Sequence, residues 1–347
     1  MPNKTIINNH RIVPVAPPCG ATVMICTDKI PEWENGKAPF TVDQYYCTGG
    51  KYRPTSLLVA WTPTGSKKNR FLLSTSPNLS GSKVYLVQTD EIILEALFAG
   101  QQYYWQVEAI FDDRIECSDV FTFQTEDVPR GISLGPVGNT RDIGGMRLEN
   151  GSRIRQGMVY RGGLLEEMQD RDRLHQQSLY GIVTDLDLRL PRETGGKTIS
   201  PLGEHIRYCN IAGPCYLEGA GDVPGIEMPE GKAGLGNIFR LLAKADTYPV
   251  YIHCAIGRDR TGTVLMLLEG ILGAVEDEMR RDYEMSLFRM DPDVVGYVKE
   301  KYLPTLEWFA SYGKGKTLAE HMESYLLDAG VTKRELDQIR TLLIERK

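Results

Sequence analysis

No stretch of this 347-residue chain approaches the roughly 20 consecutive apolar residues that a membrane-spanning helix needs. No membrane span is therefore expected. Positive charge is not in excess either. Forty Lys and Arg stand against 46 Asp and Glu, a net charge of −6. A duplex-binding protein usually carries a broad basic surface, so nucleic acid is not an expected partner. A small anionic substrate stays open, because a pocket can be basic on an acidic protein. Seven cysteines are present, yet no two form the C-x-x-C pair of zinc and thioredoxin-like sites. Internal repeats and low-complexity tracts are absent. The first 13 residues are polar and lack the apolar core of a signal peptide. As the chain stands it reads as cytoplasmic; a removed signal would make it exported or cell-surface.

What is present divides into two textures. Hydrophobic residues make up 41% and charged residues 25%, ordinary values for a globular protein, and the length suits two domains. From Thr55 to Thr125 the chain reads as short strands separated by turns: Leu57–Trp61, Arg70–Ser74, Val84–Val87, Ile92–Leu97, Tyr103–Phe111 and Val120–Gln124. Such a series predicts a β-sandwich. Trp61, the corner Leu97-Phe98-Ala99-Gly100-Gln101-Gln102-Tyr103 and the closing Phe121–Thr125 resemble a fibronectin type III module. The resemblance implies that Trp61 is core and that the Tyr103 hydroxyl ties back to backbone. An irregular insert, Pro31 to Tyr52, departs from the pattern.

A Pro- and Gly-rich linker, Asp127 to Pro136, precedes a change to α/β texture. Strands are expected at Gly181–Asp187, Ile206–Ile211 and Pro249–His253. Helices are expected at Leu235–Ala245, Thr263–Leu272 and Glu276–Ser286, with a final pair over Leu318–Glu345 broken at Gly330. Alternation of this kind predicts a mostly parallel sheet with helices on its faces. The expected domains are residues 1–127, an all-β sandwich, and 128–347, an α/β domain with C-terminal helices.

The segment that carries chemistry is Pro249 to Gly262, PVYIHCAIGRDRTG, between a buried strand and an apolar helix. A strand–loop–helix turn aims backbone N–H groups at one point, and such a nest binds an oxyanion. The same field stabilises a thiolate, which makes Cys254 the candidate nucleophile. Arg260 offers a planar fork for two phosphoryl oxygens. Ala255, Ile256, Gly257 and Arg258 form the phosphate-binding turn, and Gly257 lets it bend without a Cβ in the way. Thr261 is positioned to hydrogen-bond the sulfur, and His253 to order the loop from behind. No metal or cofactor is expected, because the cysteine supplies the nucleophile and fixed dipoles stabilise the developing charge.

His253-Cys254, the five-residue spacing to Arg260 and Thr261-Gly262 resemble the signature of the protein tyrosine phosphatase superfamily. Asn139-Thr140-Arg141-Asp142-Ile143-Gly144-Gly145, Arg161-Gly162-Gly163, Asp187-Leu188-Arg189 and Glu193 follow in order. Together they resemble the atypical bacterial and fungal phosphatases that include the mycobacterial phosphatase B type. The resemblance implies an α/β tyrosine phosphatase fold and hydrolysis of phosphotyrosine, sometimes phosphoserine, phosphothreonine or phosphoinositides. The implied partners are a phosphorylated protein, a phosphoinositide or a small phosphate ester. Where the family usually has Gly-Lys-Asp-Arg, this chain has Gly257-Arg258-Asp259-Arg260.

Several roles stay open at this level. Asn139, Arg141 and Asp142 either brace the phosphate loop or cap their own turn. Asp187 and Arg189 are expected as a buried pair at a strand end. For the general acid, the placement of Asp259 directly before Arg260 resembles other Cys-x5-Arg lipid phosphatases, and that resemblance implies the acid role; Asp222, in the Gly- and Pro-rich stretch Gly213–Gly234, is the alternative. A rhodanese-like sulfur transferase and a phosphate-recognising interaction protein are the competing functions.

Overall fold

The computed structural model describes residues 4–26, 54–286 and 298–345. The insert at Pro31 to Tyr52 lies outside the described residues. The described chain falls into two compact units, residues 4–26 with 54–128 and residues 129–286 with 298–345.

The first unit is all β. Its strands are β1 (Thr5–Asn8), β2 (Pro14–Ala16), β3 (Ala21–Val23), β4 (Leu57–Trp61), β5 (Asn69–Ser74), β6 (Lys83–Val87), β7 (Glu91–Leu94), β8 (Gln102–Ile110), β9 (Arg114–Cys117) and β10 (Phe121–Thr125). One sheet runs β1-β9-β8-β10-β3, with β5 and β6 continuing from β8, and the other is β2-β4-β7. Along β8 every second side chain is buried: Tyr103, Trp105, Val107 and Ala109 face the core. That period of two is what lets one strand face both core and solvent. Trp61 stacks on Phe71 at 5.7 Å, and Phe71 meets Trp105 at 5.5 Å. The Tyr103 hydroxyl accepts the Phe98 N–H at 2.9 Å, so the corner is tied back to backbone as its residues imply. The strand expected over Ile92–Leu97 stops at Leu94, and Ala96 takes a left-handed φ of 57° that breaks pairing. Strands β1, β2, β3 and β9 lack strong β patterning and were not expected from the sequence.

The second unit is α/β. Its sheet has the order β11 (Arg141–Asp142), β12 (Val159–Gly162), β15 (Val250–His253), β13 (Thr184–Asp187) and β14 (Arg207–Asn210). The last four run parallel, and only β11 is antiparallel to its neighbour. All residues of β12, β13 and β15 are buried, as expected of strands covered on both faces. The helices are α1 (Asp170–Leu179), α2 (Pro229–Leu242), α3 (Asp259–Leu272), α4 (Glu276–Glu284), α5 (Leu303–Ala310), α6 (Leu318–Asp328) and α7 (Lys333–Leu343).

Helix α3 is the central pillar. Every residue from Arg260 to Leu272 is buried, and α4, α6 and α7 pack on it. Val264, Leu265, Leu267, Leu268 and Ile271 are each sealed from water, at roughly 1.5–3 kcal/mol of stabilisation per side chain. The helix begins at Asp259, four residues before the expected Thr263, so the signature loop supplies its first turn. Helix α2 begins at Pro229 rather than Leu235, with proline preset for the first turn. Its Gly236 is dictated by packing, since a Cβ there would lie 2.3 Å from the Ala329 carbonyl oxygen. The final helix pair breaks at Gly330, whose φ is 81°.

Candidate active site

Strand β15 carries Cys254 to the C-terminal edge of the parallel sheet, where open α/β sheets place their ligands. Helix α3 starts five residues later, and the turn between is held from behind. The Cys254 carbonyl accepts from His253 Nδ1 at 3.0 Å, and the Ala255 carbonyl from the Leu164 N–H at 3.0 Å. Asn139 Nδ2 donates to the carbonyls of Ile256 and Gly257, both at 3.0 Å. Arg161 Nη2 also donates to the Gly257 carbonyl, at 2.8 Å. Four successive carbonyls are thus turned into the protein. A trans peptide points its N–H opposite to its C=O. The N–H groups of Ala255, Ile256, Gly257 and Arg258 are therefore turned the other way, as an anion nest requires. Gly257 is obligatory: its φ is 73°, and a Cβ would lie 2.1 Å from the Gly162 carbonyl oxygen.

Cys254 is buried, and burial alone would push its thiol up. Hydrogen bonding from the Thr261 hydroxyl and backbone N–H, together with the Arg260 charge, outweighs burial and holds the thiol below its ordinary value. The Thr261 side chain is fully buried, and its hydroxyl has no nitrogen, oxygen or sulfur partner at full hydrogen-bonding geometry among the described residues. His253 is fully buried with both ring nitrogens facing acceptors, Nε2 meeting Asp185 Oδ1 at 2.9 Å. Burial lowers its pKa, but Asp185 and Asp187 outweigh that, and the net shift is upward.

Arg260 is held fork to fork by Glu193, Nη1 to Oε2 at 2.5 Å and Nη2 to Oε1 at 3.0 Å. Asp259, the first residue of α3, accepts at Oδ1 from the Tyr216 hydroxyl at 2.5 Å and from Arg258 Nε at 2.7 Å. Its Oδ2 accepts from Arg258 Nη2 at 3.2 Å. Asp222 is exposed and ion-paired to Arg192, the neighbour of Glu193 in sequence.

The upstream residues separate into distinct duties. Asn139 braces the Cys254–Arg260 loop directly, from a left-handed φ of 61°. Arg141 acts through others: it donates to Asn139 Oδ1 at 2.5 Å and to Asp282 Oδ1 at 2.7 Å. Burial and the nearby Arg161 push its pKa down to about 10. Asp142 does not reach the loop. It pairs with Arg130 at 2.7 Å and accepts the N–H groups of Gly144 and Gly157, which is the turn-capping alternative. Asp187 and Arg189 form the buried pair expected of them, at 2.6 Å.

Sequence reasoning gave no role to Glu193, Arg161, Asp282 or Tyr216. Asp282 on α4 binds both Arg141 and Arg161, and so anchors the two guanidiniums beneath the loop. Burial of Asp282 raises its pKa, but the two arginines outweigh this and hold it low; the fully buried Glu269 beside it is pushed up by burial and by Asp282. Glu193 and Arg161 lie in stretches whose motifs were visible, but their partners are far away in sequence. Among the described residues, no cluster of His, Cys, Asp and Glu could hold a metal ion, and no helix is long and apolar enough to cross a membrane.

This combination, a buried loop cysteine at the edge of a parallel sheet with an arginine on the following helix, is the arrangement of the cysteine-based phosphatases, a class of hydrolase. Residues 132–345 match the family model described as tyrosine phosphatase family. The match covers more than half the chain, and the chain belongs to that family. A Cupriavidus necator protein named as a tyrosine-protein phosphatase is 28% identical over 176 residues, 44% of this chain. The aligned region spans 61% of that relative's length. The core catalytic domain of the PP-IP phosphatase SIW14 from S. cerevisiae aligns over 48% of this chain and 93% of its own, at 14% identity and a TM-score of 0.29. A human fibronectin type III domain aligns over 37% of this chain and 85% of its own, at 19% identity and a TM-score of 0.21.

Proposed function

We propose that the chain hydrolyses phosphate monoesters through a phosphocysteine intermediate on Cys254. The observation that carries this reading is the loop's set of inward-tied carbonyls around a thiol held below its ordinary pKa. The thiolate attacks phosphorus while the bond to the leaving oxygen breaks. Arg260, oriented by Glu193, takes two phosphoryl oxygens, and the N–H groups of Ala255, Ile256, Gly257 and Arg258 take the developing charge. Asp259 gives its proton to the leaving oxygen, then as carboxylate takes one from the water that displaces Cys254.

Phosphotyrosine on protein is the first substrate to test, in keeping with the likeness of the Asn139–Gly145 motif to the mycobacterial phosphatase B type, from which Arg258, standing in place of the usual Lys, departs. Arg258 spends Nε and Nη2 on Asp259. That leaves it less to offer the extra phosphates of a phosphoinositide headgroup. The fibronectin type III-like sandwich is read as a separate module. A fragment from Pro129 onward should therefore fold and turn over nitrophenyl phosphate.

The deciding experiment is turnover of phosphotyrosine peptides, phosphoserine peptides, phosphoinositides and inositol phosphates by wild type and Cys254→Ser, with EDTA present. Turnover of the phosphotyrosine peptides, lost in Cys254→Ser with substrate binding retained, is the expected result. Normal turnover by Cys254→Ser would falsify the mechanism. Persulfide transfer without phosphate release would establish the rhodanese-like alternative.

A further inference from the structure

Tyr216 is a bulky residue in a left-handed backbone conformation, φ 53°, where side chains other than glycine are seldom found. Strain of this kind persists where surrounding contacts impose it, and often marks a working site. Here the contacts are explicit. The Tyr216 N–H donates to Thr263 Oγ1 at 3.1 Å, and its carbonyl accepts from the Ile226 N–H at 2.8 Å. The same Thr263 hydroxyl donates to the Asp259 carbonyl at 2.9 Å. One hydroxyl thus ties the backbone that carries the phenol to the backbone that carries the carboxylate.

Proton counting fixes the directions. A carboxylate oxygen of Asp259 only accepts, so the Tyr216 hydroxyl spends its single proton there, at 2.5 Å. The Tyr283 hydroxyl, in contact with that of Tyr216, must then donate to it. The chain runs Tyr283 to Tyr216 to Asp259 Oδ1, and each bond polarises the next. Oδ1 receives two donors at 2.5 and 2.7 Å, while Oδ2 receives one at 3.2 Å. A carboxyl proton settles on the oxygen with fewer donors.

We infer that Tyr216 is a positioning residue for proton transfer: its phenol pins Asp259 through Oδ1, so that Oδ2 carries the proton exchanged with the leaving group and then with water. The inference rests on the reading of Asp259 as the acid. In the first step the Cys254 sulfur–phosphorus bond forms, the bond from phosphorus to the leaving oxygen breaks, and the Oδ2 proton moves to that oxygen. In the second step water attacks phosphorus, the sulfur–phosphorus bond breaks and a water proton returns to Oδ2. Negative charge grows on Asp259 during the first transfer, and the bond from Tyr216 strengthens with it. Tyr216 is buried, and burial with Tyr283 and Asp259 alongside holds its phenol in the protonated, donating form. The titratable and charged groups facing Asp259 are Cys254 and Arg258 of its own loop, Cys215 and Tyr216 of the preceding segment, and Tyr283 of α4.

The test compares Tyr216→Phe, Asp259→Asn and the double variant on an alkyl phosphate and on nitrophenyl phosphate. Tyr216→Phe should slow the alkyl phosphate roughly tenfold, the worth of one hydrogen bond to a charged group, with much less effect on the nitrophenyl ester. The double variant should be no slower than Asp259→Asn. A merely structural role would slow both esters alike and add to Asp259→Asn, and that result overturns the inference. If Asp259→Asn itself lacks leaving-group selectivity, the acid reading fails. If Asp259→Asn is selective and Tyr216→Phe is inert, only the role of Tyr216 fails. Tyr283→Phe removes the next donor without touching Asp259 and should repeat the pattern more weakly; should Tyr216→Phe not fold, an inert Tyr283→Phe overturns the inference.

Discussion

Glu193 grips Arg260 with both carboxylate oxygens, and its Oε2 also accepts the Leu190 N–H at 2.7 Å. Hydrogen bonding from Arg260 is the main reason its carboxyl is held below the usual range. Glu193 therefore fixes the rotamer of Arg260, the proposed phosphate clamp. Arg260→Lys keeps the charge but loses the fork, and should lower kcat by about 100-fold or more. Glu193→Gln keeps one acceptor and one end of the fork. It should lower kcat by about tenfold with a smaller change in KM, the loss of about one charge-assisted hydrogen bond. Equal rates for Glu193→Gln and wild type under saturating substrate would show that Arg260 needs no orienting partner.

The loop was legible in the sequence because its chemistry is local. Cys254, Gly257, Arg260 and Thr261 lie within eight consecutive positions, and a strand-to-helix turn brings them together whatever the rest of the fold does. What supports the loop was not legible. Glu193 is 67 positions from Arg260, Arg161 is 96 from Gly257, and Tyr216 is 43 from Asp259. Those meetings depend on sheet order, with β15 inserted between β12 and β13, and no local period encodes that order. The same limit explains the strands. β8 announces itself by alternation, whereas β1, with all four residues exposed, carries no core pattern to read.

Arg161 tests the support beneath the loop. Its side chain is fully buried, paired to Asp282 and bonded to the Gly257 carbonyl. Arg161→Met removes both contacts and leaves Asp282 with one partner fewer. Breaking a buried pair in this way should cost about 3–5 kcal/mol of folding stability. In whatever fraction folds, a loosened loop should hold the thiolate less well, and the Cys254 thiol pKa should rise. The pH dependence of alkylation by iodoacetamide reads that shift directly. An unchanged alkylation profile would separate stability from site function.

Asp187 sets an acid limit. Burial raises its pKa, but hydrogen bonds from Arg189 and the charge of His253 outweigh burial and bring it down to about 2. A carboxyl depressed in the folded state stabilises the fold above its unfolded pKa, near 3.8, and loses that contribution as pH falls to about 2. The contribution is about 2 kcal/mol, from a shift of nearly two units. Urea unfolding at several pH values should show wild type losing that amount between roughly pH 4 and 2. Asp187→Asn should be less stable at neutral pH, and flatter across the same window.

The choice between Asp259 and Asp222 is the sharpest question at the site. Asp259 stands at the start of α3, next to Arg260, with its carboxyl pinned by Tyr216 and Arg258. Asp222 has a side chain 64% exposed and is paired to an exposed Arg192, an ion pair worth about 0–1 kcal/mol. Pinning serves proton transfer, which needs a donor held at one place; a loosely paired surface carboxylate has no such constraint. A general acid matters most when the leaving group is poor. Asp259→Asn should therefore slow an alkyl phosphate by roughly 100-fold and nitrophenyl phosphate far less, and should erase the basic limb of the pH–rate profile. Asp222→Asn should leave both rates and the profile near wild type. The reverse pattern, selectivity in Asp222→Asn and a uniform loss in Asp259→Asn, would make Asp222 the acid and reduce Asp259 to shaping the phosphate loop.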